Sequence, residues 1–344
     1  MKVELLNDSH DPECIAFLDQ LGESNPSILG YHYPIYRDMF CHIGVGTPFY
    51  WGARVGSQLV GLLPGFLRKA DCGLSYCSLP FFGPNAGVIC ASDEGSRRIH
   101  SALLAAVLDY MGSQPDALTA SFYTPFLFDR YEFYAELMPK AIVVQKRTQY
   151  LRLQNSTSGS KIRYDVSKAE RQGVTVSTEL SVERIETLYN IYGQNCLDYG
   201  IPLKPKAAIE FLLTRGIQSG RVRCYLSFHE AALVAGLVII LGPRTVSYYL
   251  PCASVRGRSL QAGTLLIDWA MNEARRRGFQ FWNWESSPSR DSGVYRFKSK
   301  WGSLEGEYRI YVRSFASIEK LREIGAAGLS AHFPFFFVYP FGQM

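Results

Sequence analysis

Three side chains in the second half of the chain have the types and positions that acid–base chemistry needs. Glu285 lies at the end of a predicted strand, in the segment WESS at 284–287. A carboxylate that leaves a strand there can act as a general base or hold a water that does, or it can cap the following loop. Tyr248 and Tyr249 are consecutive in the preceding predicted strand, so one faces a cleft and the other the core. The sequence does not decide which.

Cationic side chains recur along a predicted short helix at 161–172, which Gly173 ends. At about 100° per residue, Lys161 and Lys168 share one face of this helix and Arg163 lies on another. Such a helix suits a diphosphate or the acceptor end of a tRNA. A solvated helix whose acidic neighbours offset the charge fits the pattern equally well.

The thiols and imidazoles show no spacing that is typical of metal ligands. The eight cysteines include no C-x-x-C pair, and the six histidines form no H-x-x-H or H-E-x-x-H pattern. No base flanks Cys252, so we do not expect covalent catalysis through that thiol. We expect no metal site, no bound cofactor and reduced cysteines.

The elements that position these residues occur twice. Each half contains a predicted β-hairpin, then a helix with apolar residues on one face, then an aromatic strand. The hairpins lie at 49–63 and 223–238, the helices around 103–111 and 265–276, and the strands at 120–123 and 279–284. This duplication predicts two copies of one α/β domain.

A polar connector at 155–160 separates the two copies. We therefore predict an N-terminal domain at 1–154 and a C-terminal domain at 155–344, which includes the basic helix 161–172. The active cleft is expected between the domains or within the second one. The aromatic tail at 333–341 is expected to pack on a domain surface, with a dip into a bilayer interface as the alternative.

Composition excludes several classes of protein. The 344 residues are 47% hydrophobic and 19% charged, which excludes a disordered chain. No apolar run approaches the ~20 residues that span a bilayer, and the N-terminus lacks the apolar core of a signal peptide. A net charge of +5 is too small to indicate DNA binding. We expect a cytoplasmic protein whose membrane contact is at most peripheral; its oligomeric state is left open.

Three segments resemble the Fem family of peptidoglycan-bridge aminoacyltransferases and their FemAB-like relatives, which have tandem GNAT folds. The segment SGVYRFKSKWG at 292–302 is similar to the family signature S-G-x-x-x-F-K-x-x-W/F-G. The segment 161–174 is similar to a basic helix that ends K-A-x-x-x-G-V, and 78–87 is similar to a first-domain loop around G-P. The resemblance implies an α/β (α+β) fold of two GNAT-like domains, each a mixed, mostly antiparallel sheet flanked by helices.

The resemblance also implies roles for the residues of the signature. Lys298 is expected to lie in a channel and to neutralise charge on the carbonyl oxygen or the departing ribose oxygen. Phe297 and Trp301 are expected beside the substrate. The alternative for Lys298 is a surface lysine on a strand; in the channel it would contribute little to the core, so Lys298→Met is expected to leave folding nearly untouched. In the first-domain loop Asn85 follows Pro84 where related enzymes have an acidic residue, so we expect no catalytic carboxylate there.

The choice of acyl donor depends on the loop at 256–264, RGRSLQAGT. GNAT enzymes that use coenzyme A hold its pyrophosphate with an R/Q-x-x-G-x-G/A loop at a helix start. Here Arg256, Arg258 and Gly263 are the candidate donor-binding residues, but we do not find that spacing. The loop therefore favours aminoacyl-tRNA as the co-substrate, with acyl-CoA as the alternative.

Together these features predict an amide-forming transferase. It would move an aminoacyl or acyl group to an amine on a cell-wall precursor, an amino sugar or a secondary metabolite, the acceptor being a small or nucleotide-linked molecule. The alternatives are an acyl-CoA-dependent N-acyltransferase of polysaccharide biosynthesis and a GNAT-fold module that binds without catalysis.

Overall fold

The computed structural model describes residues 1–81, 86–91, 94–155 and 159–342. Gly83, Pro84 and Asn85 of the first-domain loop lie outside the described residues, as does part of the predicted connector. The predicted absence of a carboxylate beside Pro84 therefore stays a prediction.

The strands are β1 (Lys2–Leu6), β2 (Thr47–Pro48), β3 (Tyr50–Val55), β4 (Gln58–Leu63), β5 (Phe66–Ala70), β6 (Gly73–Cys77), β7 (Ile89–Cys90), β8 (Ala117–Tyr123), β9 (Ile142–Arg152), β10 (Thr175–Ser177), β11 (Val222–His229), β12 (Ala232–Leu241), β13 (Thr245–Ala253), β14 (Phe281–Ser287) and β15 (Leu304–Ser314). The helices are α1 (Asp11–Gly22), α2 (Pro34–His42), α3 (Ser96–Ser113), α4 (Glu132–Leu137), α5 (Ser160–Arg171), α6 (Val182–Tyr199), α7 (Lys206–Phe211), α8 (Val255–Ser259), α9 (Ala262–Arg276), α10 (Gly293–Ser299) and α11 (Ile318–His332). Strands β2 to β7 and β11 to β13 follow one another directly, and helices lie between the remaining strands.

The chain forms two compact units. The first unit comprises Met1–Arg147 and Glu307–Met344, and the second comprises Thr148–Gly306. The chain passes from one unit to the other within β9 and within β15. This division differs from the predicted one at 154/155, because residues 307–344 belong to the first unit. The physical reason is that the end of β15 pairs with β8 in antiparallel fashion, from Ile310 opposite Tyr123 to Ser314 opposite Thr119.

The first unit contains two sheets. One has the order β1-β3-β4-β7, and the strands of the other within this unit run β15-β8-β6-β5-β2. Helix α3 buries Leu103, Leu104 and Val107 against this sheet core, which explains its apolar face. The predicted hairpin is β3–β4; after Pro64 and Gly65 the chain continues as β5 in the second sheet.

The sheet of the second unit has the order β10-β11-β12-β13-β14, with β9 beside β14. Its pairs are antiparallel from β10 to β13, and β13 and β14 are parallel. Helix α9 packs Leu266, Ala270 and Met271 into a core with Trp282 and Trp284. Helix α6 packs on β12 and β13, and Leu188 of α6 is so close to Gly236 that a Cβ there would lie 2.1 Å from it.

The predicted duplication is confirmed. In each unit a helix connects two parallel strands: α3 lies between β6 and β8, and α9 lies between β13 and β14. Helix α9 ends as its sequence predicts, with Arg275 and Arg276 in the last turn and Gly278 at φ +84° just beyond it. A crossover helix of this kind is what joins parallel strands.

The aromatic tail packs on the first unit, as the first of the two alternatives predicts. Phe333 and Phe336 are buried, the Phe81 N–H donates to the Phe335 carbonyl at 3.0 Å, and the two rings of Phe81 and Phe335 lie 4.5 Å apart. Among the described residues, no helix combines the length and hydropathy that crossing a membrane requires.

Candidate active site

A cleft of about 600 Å³ lies in the second unit. Its lining comes from α6, β12, the later part of β13, the first turns of α9 and one side of α10. This later part of β13 lies beyond the pairing with β14, which runs from Thr245 opposite Phe281 to Ser247 opposite Asn283. The cleft lining includes Tyr248, Phe297, Lys298, Arg258 and Gly263 from the predicted site, together with Asn195, Tyr199, Cys252, Gln261 and Thr264.

The start of α9 lies at this cleft. Gln261, at the N-cap position, has φ +60°, a left-handed conformation that glycine adopts far more readily. An added Cβ on Gly263 would meet nothing within 4 Å, so the backbone of the first turn is bare on that side. Arg258, Gln261 and Gly263 have the R-x-x-G-x-G spacing with glutamine in the first glycine position. The loop thus departs from that motif at its first glycine, as predicted.

The Gln261 side chain folds back over the first turn of α9. Its Oε1 accepts a hydrogen bond from the Thr264 hydroxyl at 3.1 Å. In a loop with glycine at this position, the bare amides would be open to a pyrophosphate. Here glutamine occupies that position, and its side chain is hydrogen-bonded within the first turn of α9.

Lys298 lies at the wall of the cleft, on α10, and is only 4% exposed. Its Nζ donates to the Ser286 carbonyl at 2.7 Å and to Ser287 Oγ at 3.1 Å, with the Glu285 carbonyl farther away at 3.5 Å. Burial lowers the pKa of Lys298 to about 8, and the charge of Glu285 opposes that shift.

The environment of Lys298 corrects two predictions. The segment is a helix rather than a strand, because Ser292 caps it by accepting from the Tyr295 N–H at 3.1 Å. The lysine is buried, so the expectation that Lys298→Met leaves folding nearly untouched no longer has its physical basis. Removing the amine takes away the hydrogen bonds that it donates to the Ser286 carbonyl and to the buried Ser287 hydroxyl, and a hydrogen bond from a charged donor contributes about 1.5–3 kcal/mol.

Glu285 forms a distortion near the end of β14. Its φ is +62°, which costs a non-glycine residue about 1–3 kcal/mol. The Asn283 side chain stabilises this backbone: its Oδ1 accepts from the Glu285 N–H at 2.9 Å and its Nδ2 donates to Glu285 Oε1 at 3.0 Å. The distortion turns the Glu285 carbonyl toward Thr148 Oγ1 (3.1 Å) and Lys298 Nζ.

The two tyrosines lie in different surroundings. Tyr248 lines the cleft and packs edge-on against Trp284, with ring centroids 4.9 Å apart. Burial raises its pKa far above the ordinary value, so the phenol stays neutral. Tyr249 is not among the cleft-lining residues, and Lys204 Nζ lies 4.9 Å from the centre of its ring. Of the two, Tyr248 is the one in position to contact a ligand.

The two aromatic residues of the signature differ in how deeply they are buried. Phe297 is partly buried and lines the cleft, whereas Trp301 is 3% exposed and belongs to the core. The Trp301 ring lies 5.9 Å from that of Trp284. Trp301 therefore supports the wall of the cleft and is not part of its lining.

Of the two predicted donor-binding arginines, one lines the cleft and the other does not. Arg258 lines the cleft, donates to the Ala253 carbonyl at 3.1 Å and pairs with Asp198 at 3.4 Å. Arg256 lies within 3.5 Å of Glu230 and does not line the cleft. Only Arg258 is positioned to reach a donor bound there.

The basic helix α5 lies away from the cleft lining. It packs on α9 through Ile162 and Ala169, both buried in the core of the second unit. Lys161 and Arg163 are exposed and Lys168 is partly exposed, and none of the three lines the cleft. A phosphate role for these cations would have to involve the part of a ligand outside the cleft.

Sequence reasoning missed Asn195, a cleft-lining residue of α6. Its amide binds both backbone groups of Ala253, at 2.9 Å each, and so fixes the end of β13. The buried residues of α6 follow the helical spacing of Leu188, Tyr192 and Cys196, and Asn195 is a polar residue on that same face. A polar residue on an apolar face was the signal that could have identified it.

Lys204, between α6 and α7, is not among the cleft-lining residues. Burial lowers its pKa, and the charge of Glu285 opposes that shift. No group of three or more His, Cys, Asp or Glu side chains in the described ranges is arranged to hold a metal ion.

Comparisons with known proteins agree with this geometry. Residues 158–284 match the acetyltransferase (GNAT) domain family. Solved structures similar to the chain include FemX (12% identity, TM-score 0.65, covering 90% of this chain and 97% of FemX). Another is the C-terminal domain of an Agrobacterium fabrum protein assigned as a lysylphosphatidylglycerol synthetase (10%, TM-score 0.59, covering 94% and 98%). A third is a tandem GNAT protein from the clavulanic acid biosynthesis pathway, solved without AcCoA (11%, TM-score 0.51, covering 92% and 99%).

No curated protein sequence matches the chain. At these identities the structural likeness shows the fold, and it confirms the tandem GNAT fold that the sequence predicts. The residues that match the acetyltransferase (GNAT) domain family, 158–284, all lie within the second unit.

Proposed function

We propose that this protein transfers an acyl group from an activated carboxyl donor to an amine, and that the reaction takes place in the cleft of the second unit. The observation that carries the proposal is the buried amine of Lys298 at the wall of a cleft that β13 and the start of α9 also line. Amide formation passes through a tetrahedral state with negative charge on oxygen, and a fixed cation beside that oxygen lowers its energy.

Lys298 is the catalytic residue of this proposal. With a pKa of about 8, it is mostly cationic at neutral pH. Two of its N–H groups have short contacts with Ser286 and Ser287, and the third has only the 3.5 Å contact with the Glu285 carbonyl. That third N–H is the one that can turn to a developing oxyanion or to a departing ribose oxygen.

In this proposal Glu285 is a positioning residue for Lys298. Its carboxylate is held by Asn283, and its distorted backbone brings two carbonyls to the Lys298 amine. Glu285 is not among the cleft-lining residues. We therefore assign its effect to the placement and charge of Lys298. The proton that the acceptor amine loses passes to solvent in the cleft.

We propose aminoacyl-tRNA as the donor. Gln261 occupies the first glycine position of the loop at the α9 start, where coenzyme A would place its pyrophosphate, and its side chain is hydrogen-bonded to Thr264 there. The 3′ end of an aminoacyl-tRNA carries its ester on a ribose and needs no pyrophosphate site. The exposed cations of α5 can contact the tRNA backbone outside the cleft. The lysyl group in the name of the Agrobacterium fabrum relative fits an aminoacyl donor.

The acceptor class is an amine on a cell-wall precursor, an amino sugar or a secondary metabolite, without involvement of DNA. Membrane contact, if the acceptor is lipid-linked, is peripheral. Charged tRNA is a cytoplasmic substrate, so we place the reaction in the cytoplasm.

The test is a transfer assay with two labelled donors. The chain is incubated with tRNA charged with radiolabelled amino acids, or with radiolabelled acyl-CoA, and with a panel of amino sugars, nucleotide-linked cell-wall precursors and simple amines. We expect label to pass from tRNA to an amine. Transfer from acyl-CoA with no response to charged tRNA would establish the alternative donor. Binding of the amines without transfer from either donor would overturn the enzymatic proposal in favour of a binding module.

A further inference from the structure

A buried chain of hydrogen bonds leads to Lys298 from the opposite side of the cleft wall. Gln149, on β9, is 1% exposed, and its Oε1 accepts from Ser287 Oγ at 2.7 Å. Its Nε2 donates to Ser299 Oγ at 2.9 Å and to the Tyr295 carbonyl at 3.3 Å. Ser287 Oγ in turn lies 3.1 Å from Lys298 Nζ. Gln149 thus connects β9, the end of β14 and α10.

One carbonyl fixes the direction of every hydrogen bond in this chain. The Tyr295 carbonyl can only accept, so the NH₂ end of the Gln149 amide must face it. Ser299 Oγ donates to the same carbonyl at 2.9 Å, so its lone pairs are free to accept from Gln149. The oxygen of the amide then faces Ser287, whose hydroxyl proton must point to it.

These directions determine how Ser287 binds the Lys298 amine. Because the Ser287 proton is directed to Gln149, only the lone pairs of Ser287 Oγ remain for Lys298, so Ser287 accepts from the lysine and cannot donate to it. Ser287 Oγ and the Ser286 carbonyl then hold two of the three N–H groups of the ammonium. In the proposed function, the third N–H group of Lys298 makes the catalytic contact.

We propose that Gln149 is a positioning residue for acyl transfer, which acts through Ser287 to hold the Lys298 ammonium in one orientation. This inference rests on the proposed function. It predicts that changes at Gln149 alter the rate and the pH dependence of Lys298 without any contact between Gln149 and the substrate.

Two variants of Gln149 separate positioning from general stability. Gln149→Glu keeps the acceptor for Ser287 and adds a negative charge, which should raise the pKa of Lys298 by about one unit. Gln149→Met keeps the volume, removes the hydrogen bonds and should lower kcat by about 10- to 100-fold with little change in the donor KM. Ser287→Ala should likewise lower kcat with little change in the donor KM. It is the variant to measure if Gln149→Met fails to fold. Gln145→Glu is the matched control, because Gln145 is exposed on the same strand.

The direct measurement is an NMR titration of the full chain labelled with ¹⁵N-lysine, in which the signal absent from Lys298→Met identifies Lys298. We expect the titration midpoint of Lys298 to rise in Gln149→Glu and to stay unchanged in Gln145→Glu. An unchanged midpoint in folded Gln149→Glu, or full kcat in Gln149→Met and Ser287→Ala, overturns the positioning role. If the wild-type chain transfers no acyl group, the proposed function fails and the titration still decides whether Gln149 controls the amine.

Discussion

The buried ammonium of Lys298 should give the protein an unusual gain in stability at alkaline pH. The pKa of Lys298 falls from an ordinary 10.5 in the unfolded chain to about 8 in the folded one. Between these two values the unfolded chain binds more protons than the folded chain, so the free energy of unfolding rises with pH. At 1.36 kcal/mol per pKa unit, the penalty of keeping the charge buried is about 3 kcal/mol below pH 8, and it disappears toward pH 10.5.

Lys298→Met removes this dependence. At pH 7 the variant loses the penalty of the buried charge and also loses the hydrogen bonds to Ser286 and Ser287. Each bond from a charged donor contributes about 1.5–3 kcal/mol, so the two effects nearly cancel in the absolute stability. The slope with pH is therefore the better observable. From pH 7 to pH 10, the wild type should gain about 2 kcal/mol relative to the variant.

The assay is denaturant unfolding followed by tryptophan fluorescence at several pH values between 7 and 10. Other groups that titrate in this range contribute equally to the wild type and the variant, so the difference between the two isolates Lys298. Lys300→Met, at an exposed lysine two residues away, should follow the wild type. Parallel pH curves for wild type and Lys298→Met would refute the buried-charge reasoning.

Three further outcomes follow from the cleft and its supports. Gly263→Val should fold normally, because a Cβ there meets nothing within 4 Å, yet it should raise the donor KM at least tenfold by narrowing the cleft that Gly263 lines; an unchanged KM would place the donor elsewhere. Trp301→Ala should destabilise the chain by about 3–5 kcal/mol in denaturant unfolding, as expected for a buried tryptophan, and a loss below 1 kcal/mol would contradict its core position. Replacing Lys161, Arg163 and Lys168 together by glutamine should raise the KM for aminoacyl-tRNA, with a weaker salt dependence, and leave the KM for the amine acceptor unchanged; equal effects on the KM of donor and acceptor would contradict a tRNA contact.

Local patterns predicted much of the fold. Residues close together in the sequence show the apolar face of α9, its cationic end and the glycine at 278 that follows it. The same holds for the β3–β4 hairpin and the repeated order of elements. The membership of residues 307–344 in the first unit was not predictable in this way, because it depends on the pairing of β15 with β8, which is far away in sequence.

The candidate site was predicted by residue type but not by environment. The signature pointed to Lys298, yet its burial depends on Ser286, Ser287 and the Gln149 side chain from β9, more than 130 residues earlier. No periodicity signals the positive φ of Glu285 either, since it results from the Asn283 side chain and the tertiary contacts around it. Side-chain networks that cross several elements have no local sequence pattern.

In the proposed function, the Lys298 ammonium stabilises charge during acyl transfer in the second-unit cleft. Single-turnover transfer from charged tRNA can be measured at pH 7 for the wild type, Lys298→Met and Lys300→Met. We expect Lys298→Met to be about 10²- to 10³-fold slower with little change in donor affinity, and Lys300→Met to match the wild type. A folded Lys298→Met that transfers at the wild-type rate would contradict this role of Lys298.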